Sequence, residues 1–226
     1  MDNFARIKPL IKYFDKLQSK TVAIVGVGGV GGVAAITLAR SGIKNFILCD
    51  FDKVNESNIN RQVVAYNSTI GMYKVDVLEN LIKDINSDAS IIKIKEPFNE
   101  DSLLFNNHID FLIDAIDDVN NKYLLIKKTL SLDIPLISSM GTAKKMDIKK
   151  LKIMDINQTS YDPLARIIRR KIREEGLNLK FKCLSSTEDS LLSGPMLASY
   201  MPVTASAGLM IADYVIKEIG GLEDNE

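Results

Sequence analysis

Thr21-Val-Ala-Ile-Val-Gly26-Val-Gly28-Gly29-Val-Gly31-Gly32 is the stretch that decides the fold. Five strand-forming residues run into a glycine turn, and a small-residue helix follows from Val33-Ala-Ala-Ile. Glycines at such a turn let backbone pass close to a phosphate, and the first helical turn offers unpaired N–H groups and the positive end of the dipole. The next apolar run, Phe46-Ile-Leu-Cys49, ends on Asp50, where a carboxylate accepts a ribose hydroxyl. The pattern puts a nucleotide at the tip of the first strand. Gly26, Gly28 and Gly31 also satisfy the dinucleotide fingerprint, so the glycines alone leave the nucleotide's identity open.

Outward from this unit, apolar runs alternate with amphipathic helices. Met72 to Ile85 has Val75, Leu78, Ile82 and Ile85 on one helical face. Ser90 to Lys95 reads as a strand, Ile109 to Ala115 as a buried strand, Val119 to Ser131 as a helix and Pro135 to Ser139 as a strand. Such alternation predicts an α/β fold: a Rossmann-like, mostly parallel sheet with helices on both faces. Ligands then collect at the carboxyl ends of the strands, where the glycines, Asp50, Asp114, Asp117 and Ser138 to Gly141 fall; Asp114 reads equally as a strand-end cap.

The last third changes character, into an α+β region. Lys144 to Ile156 alternates and predicts a hairpin, and Asp162-Pro163 is a cap and first-turn proline opening a basic helix through Glu174. Leu177 to Leu184 reads as a strand, Ser185 to Pro202 as a mobile loop, Thr204 to Ile219 as an apolar helix and Glu223 to Glu226 as an acidic tail. The expected organisation is one nucleotide-binding domain over residues 1–226. Residues 1–20 are an arginine-containing N-terminal segment, 21–140 the core, and 141–226 the basic region with the final helix.

Composition bounds the function. With 46% apolar and 26% charged residues in 226, the chain has enough core for one soluble domain. No apolar run reaches the length of a membrane span and the N-terminus lacks a signal pattern, which points to the cytoplasm. Two cysteines, Cys49 and Cys183, are too few for a disulfide framework or a four-thiolate zinc site, so no zinc is expected. Cys49 reads as core; Cys183, among lysines before the loop, reads as partly exposed. His108 reads as a solvated loop residue. Net charge is zero, but Lys144 to Lys182 holds twelve basic residues against five acidic ones, +7, leaving −7 elsewhere. That asymmetry suits either a polyanion-binding face or a solvated lysine-rich surface.

Asn58-x-Asn60-Arg61-Gln62, then Lys74, then Asp114-x-x-Asp117 make an ordered set of polar groups at strand ends. Two fixed cations and a carboxylate suit a triphosphate with its metal: Arg61 and Lys74 against phosphate charge, Asp117 on a Mg2+ that bridges phosphates. On these motifs the chain resembles the ATP-dependent adenylating superfamily that includes ThiF, MoeB, HesA and the ubiquitin-activating enzymes. The resemblance implies ATP and Mg2+ held by Gly26, Gly28, Gly29, Gly31, Asp50, Asn58, Arg61, Gln62, Lys74 and Asp117.

Met140-Gly141, the alternating stretch after it, Asp155-x-x-x-Thr159 and Asp162-Pro163-Leu164-Ala165-Arg166 narrow the match. They resemble the tRNA threonylcarbamoyladenosine dehydratase branch. That implies an ATP-dependent ligase-like enzyme that activates the threonyl carboxylate of the modified adenosine, so that the carbamoyl group closes a ring. It also implies Arg61, Lys74 and Arg6 as catalytic residues, with Arg6 reaching a partner chain's site in a homodimer. tRNA would lie on Arg166, Arg169, Arg170 and Arg173, and sulfur-relay proteins are further partners of the branch. Alternatives left open are an adenylyltransferase for a ubiquitin-like sulfur carrier, a nucleotide-binding adaptor and an NAD-dependent oxidoreductase.

Overall fold

The computed structural model describes residues 2–194 and 198–220. The core strands are β1 (Thr21–Val25), β2 (Asn45–Cys49), β3 (Ser90–Ile94), β4 (Phe111–Asp114) and β5 (Leu136–Ser139); β6 (Leu151–Asp155) and β7 (Lys182–Ser186) follow. The α-helices are α1 (Phe14–Ser19), α2 (Gly31–Arg40), α3 (Lys74–Ile85), α4 (Val119–Ser131), α5 (Pro163–Glu174) and α6 (Met201–Gly220). The seven strands form one sheet in the order β3-β2-β1-β4-β5-β7-β6, parallel except for β6, which runs antiparallel to β7.

Both faces of the sheet are covered, as the continuous apolar strands require. Val22 and Ile24 of β1 point into a layer with α2, α3 and α6, whereas Ala23 and Val25 point into a layer with α4 and α5. β1 and β4 are adjacent but separated in sequence by two strands. Chain order therefore reverses between them, and such a switch point opens a crevice at the carboxyl ends of the strands.

Val119–Ser131 and Pro163–Glu174 form helices with the boundaries their patterns predict. Asp162 Oδ1 accepts the Ala165 N–H at 3.0 Å, a cap that stabilises α5 by about 1 kcal/mol. Ala165, Ile168 and Ile172 are buried on one face of α5, and Arg166, Arg170 and Arg173 are exposed on the other.

Three expectations fail. No hairpin forms over Lys144–Ile156: Lys144 has φ +60°, and Asp147 accepts the Lys149 N–H at 2.9 Å, turning the chain before β6 begins. The antiparallel partner of β6 is β7, which lies beyond α5 in sequence. The strand expected at Leu177 starts only at Lys182, where it meets β5 on one side and β6 on the other. Ser185 and Ser186 then belong to β7 rather than to a loop, and Pro202 lies in the first turn of α6, where no N–H is needed. The last third thus completes the sheet. Residues 195–197 of the expected loop and the acidic tail Glu223–Glu226 lie outside the described residues.

Candidate active site

The turn after β1 is built by close approach. Gly26 has φ +87°, and a Cβ there would sit 2.6 Å from the Ala115 carbonyl oxygen beyond β4. A Cβ on Gly31 would fall inside contact distance of the Gly26 carbonyl, so Gly31 lets α2 start directly against the turn. Gly28 meets only the Gln62 amide at 3.6 Å, leaving its backbone open to a ligand.

These turns border a cleft of about 1190 Å3. Its floor comprises Gly26, Gly28 and Gly29 after β1, Asp50 after β2 and Ala115 to Asp118 after β4. Arg61, Gln62, Lys74, Ser139 to Ala143, Leu164, Ser199 and Thr204 line the rest of it. Most of the residues predicted to hold the nucleotide therefore share one cavity. Gly31 and Asn58 are the exceptions. Asn58 is buried behind the wall, where its side chain accepts the Asn55 N–H at 3.1 Å, and its carbonyl accepts the Arg61 and Gln62 N–H groups at 3.1 and 2.9 Å. It shapes the turn that presents those two residues.

Asp50 is buried, with Oδ2 accepting the Val27 N–H and Oδ1 the Asp52 N–H, each at 2.8 Å. Burial pushes its carboxyl above the usual carboxylate value, opposed by the Lys74 ammonium and these two N–H groups. Lys74, at the start of α3, is almost wholly buried and pairs with the half-exposed Asp52 at 2.6 Å. Arg61 donates to the Ser57 carbonyl at 2.7 Å and to Asn60 Oδ1 at 2.9 Å. Asn60 in turn donates to the Ser199 carbonyl at 3.1 Å, tying the arginine turn to the segment before α6.

Two of the side chains predicted to hold the nucleotide carry groups without protein partners among the described residues. Gln62 Oε1 is buried without a hydrogen bond among the described residues. Asp117 is exposed, and its carboxylate likewise has no partner among them. A buried, unpaired amide oxygen beside an open glycine turn fits a ligand carrying donors. The Asp117 carboxylate at the rim would hold a Mg2+, which would supply positive charge against phosphates. Among the described residues no group of three His, Cys, Asp or Glu forms an all-protein metal cage.

Arg6 is exposed in the N-terminal segment and does not line the cleft of its own chain. Arg166, Arg170 and Arg173 are exposed on α5, but Arg169 turns inward onto Thr159, whose carbonyl it reaches at 2.8 Å. Cys183 is fully buried, not partly exposed, and burial pushes its thiol up to about 12. Cys49, also buried, is pushed up to about 12 by the same cause. His108 is exposed as expected, 3.3 Å from Asp110.

Fold and cleft together define a nucleotide-binding α/β protein with its site at the sheet's switch point. The ThiF family model matches residues 7–226, and the chain belongs to that family. A relative from Bacillus subtilis, tRNA threonylcarbamoyladenosine dehydratase, is 42% identical over 180 residues, 79% of this chain and 71% of that one. The Saccharomyces cerevisiae tRNA threonylcarbamoyladenosine dehydratase 2 is 36% identical over 167 residues, 72% of this chain but only 37% of its own length. The crystal structure of E. coli TcdA, a tRNA N6-threonylcarbamoyladenosine dehydratase in complex with ATP, superposes with a TM-score of 0.91 at 28% identity, covering 97% of this chain and 94% of that one. No helix among the described residues is long and apolar enough to cross a membrane.

Proposed function

We infer that this chain is an ATP-dependent dehydratase that cyclises threonylcarbamoyladenosine in tRNA. The observation that carries this reading beyond ATP binding is the placement of α5. Its first turn contributes Leu164 to the cleft wall, and the exposed Arg166, Arg170 and Arg173 lead away from that wall along the surface. A polyanion bound along the helix would deliver a protruding nucleoside side chain into the cavity.

Asp50 accepts a ribose hydroxyl in this reading, and the turn Gly26–Gly29 cradles phosphates with its N–H groups. Lys74 exchanges Asp52 for phosphate oxygens, Arg61 supplies the second cation, and Gln62 Oε1 accepts from the ligand. Asp117 holds Mg2+, which neutralises phosphate charge when bound. ATP activates the substrate carboxylate, one oxygen of which departs on the phosphorus-containing group. The neighbouring carbamoyl group attacks the carbonyl carbon, and the ring closes with net loss of water. Proximity within one molecule replaces an enzyme nucleophile. The two buried thiols, protonated at neutral pH, suit a route without an enzyme thioester and offer no ready acceptor to a sulfur-relay protein.

Arg6 completes the site from a second copy in a homodimer, and the reaction takes place in the cytosol. The test is to incubate the protein with ATP, Mg2+ and tRNA carrying threonylcarbamoyladenosine, then weigh the nucleosides. A product lighter by one water is expected. Unchanged nucleoside together with adenylation of a small protein ending in Gly-Gly would favour a sulfur-carrier adenylyltransferase instead.

A further inference from the structure

Directly beneath the cleft floor lies a charged cluster with no solvent contact. Asp114, Lys122 and Ser138 are each 0% exposed. Asp114 Oδ2 accepts from Lys122 Nζ at 2.7 Å and from the Ser138 hydroxyl at 2.6 Å, and the Ser138 oxygen accepts from Lys122 at 3.2 Å. The other carboxylate oxygen of Asp114 accepts the Ile116 N–H at 3.1 Å. None of the three touches the cavity, yet Ala115, Ile116 and Asp117 follow Asp114 directly and all line it.

The connection from β4 to α4 is fixed at both ends. Ala115 donates its N–H to Val25 of β1 at 2.8 Å, and its carbonyl fills the space left free at Gly26. At the far end Asp118 caps α4 through the Asn121 N–H at 2.8 Å, and its carbonyl accepts the Lys122 N–H at 2.9 Å. Lys122 then reaches back from the first turn of α4 to the carboxylate on which the loop begins. Burying an ion pair seldom adds net stability over an apolar pair of similar volume. What it does impose is direction: a carboxylate held by two donors presents its second oxygen at one angle to the Ile116 N–H.

We propose that Lys122 is a positioning residue for Asp117: acting through Asp114, it holds the β4–α4 loop in the conformation that receives Mg2+ with ATP. The inference rests on the reading of Asp117 as the metal-binding carboxylate. Partners behind a metal ligand typically govern metal affinity by about ten- to a hundredfold. Lys122 works through the loop backbone rather than on the ligand itself, so the lower end is expected.

The experiment uses the full chain and four variants: Lys122→Met, Lys122→Met with Asp114→Asn, Ser138→Ala and Asp117→Asn. Hydrogen exchange is followed by mass spectrometry without nucleotide or metal, and ATP binding by calorimetry across a Mg2+ series and in EDTA. In Lys122→Met, amides of residues 115–121 should exchange at least tenfold faster. The Mg2+ concentration for half-maximal ATP binding should rise about tenfold, with affinity in EDTA within twofold of the parent. The double variant leaves no lone buried carboxylate, so it should recover thermal stability and still need at least fivefold more Mg2+. A purely structural role predicts that exchange and Mg2+ dependence return to parental together with stability, and a folded double variant showing both overturns the proposal. If both lysine variants fail to fold, Ser138→Ala decides: faster exchange and a two- to threefold Mg2+ shift support the proposal, and no change in either overturns it. Asp117→Asn separates the two layers. If it leaves the Mg2+ dependence intact, the reading of Asp117 falls and the proposal with it; if it abolishes that dependence while Lys122→Met does not alter it, only the proposal falls.

Discussion

At the scale of single residues, the cleft concentrates charge where a phosphate would replace an internal partner. Lys74 is buried and satisfied by Asp52; a triphosphate offers the same ammonium a stronger acceptor. Losing one such preorganised cation typically costs about a hundred- to a thousandfold in rate, so Lys74→Ala and Arg61→Ala should each lose most turnover. The thiols make the contrasting case. Burial pushes Cys49 and Cys183 up to about 12, so at pH 7 to 8 neither is a thiolate and both should resist iodoacetamide in the native protein. Cys49→Ser with Cys183→Ser should keep most of its activity per folded molecule, measured as dehydrated nucleoside formed. A folded, ATP-binding, inactive double variant would instead put an enzyme thiol on the reaction route. Spacing made the cleft-lining residues legible, Asp50, Arg61, Lys74 and Asp117 among them. Lys122 was hidden because a lysine reads as surface. Its signal was there all the same, since it shares a helical stripe with Ile126 and Thr129, where a charge needs a buried partner.

At the scale of elements, α5 joins the cleft wall to a basic surface. Its inward stripe of Ala165, Ile168 and Ile172 fixes which arginines face out. Arg170 lies 3.5 Å from Glu174, an exposed pair worth little that tRNA phosphate can displace. Replacing Arg166, Arg170 and Arg173 by Gln should weaken tRNA binding regardless of sequence. Each lost phosphate contact should reduce the salt slope by about one, leaving ATP affinity unchanged. Arg169→Gln should behave differently, lowering the melting temperature through the loss of its Thr159 contacts with little effect on the salt slope. Equal salt slopes for the triple variant and the parent would return the helix to a solvated surface. Periodicity made α4 and α5 readable to the residue, because helical hydrogen bonds are local. The pairing of β6 with β7 was not readable. Alternation marks a strand without naming its partner, and here the partner lies on the far side of α5.

At the scale of the whole molecule, the cleft is assembled from the ends of β1 to β5 together with the segment before α6, but not from the N-terminus of the same chain. Asn3 donates to the Ile85 carbonyl at 3.3 Å, so the segment carrying Arg6 docks at the end of α3 opposite its Lys74 start, while Leu10 beside it stays 74% exposed. In the proposed homodimer an arginine so placed would serve another copy's site, and the exposed Leu10 four residues on suits a contact between copies. Complementation tests this directly. Arg6→Ala lacks the lent cation and Lys74→Ala lacks the resident one, so each homodimer should be nearly inactive. In a mixed dimer, the Arg6→Ala subunit keeps its own Lys74 and borrows Arg6 from its partner, restoring one site of two. With full subunit exchange, random pairing under two-fold symmetry should return up to about a quarter of parental activity. The readout is dehydrated nucleoside per subunit, with exchange verified by native mass spectrometry of differently tagged chains. Mixed dimers that form but stay inactive would mean that Arg6 acts within its own chain or not at all.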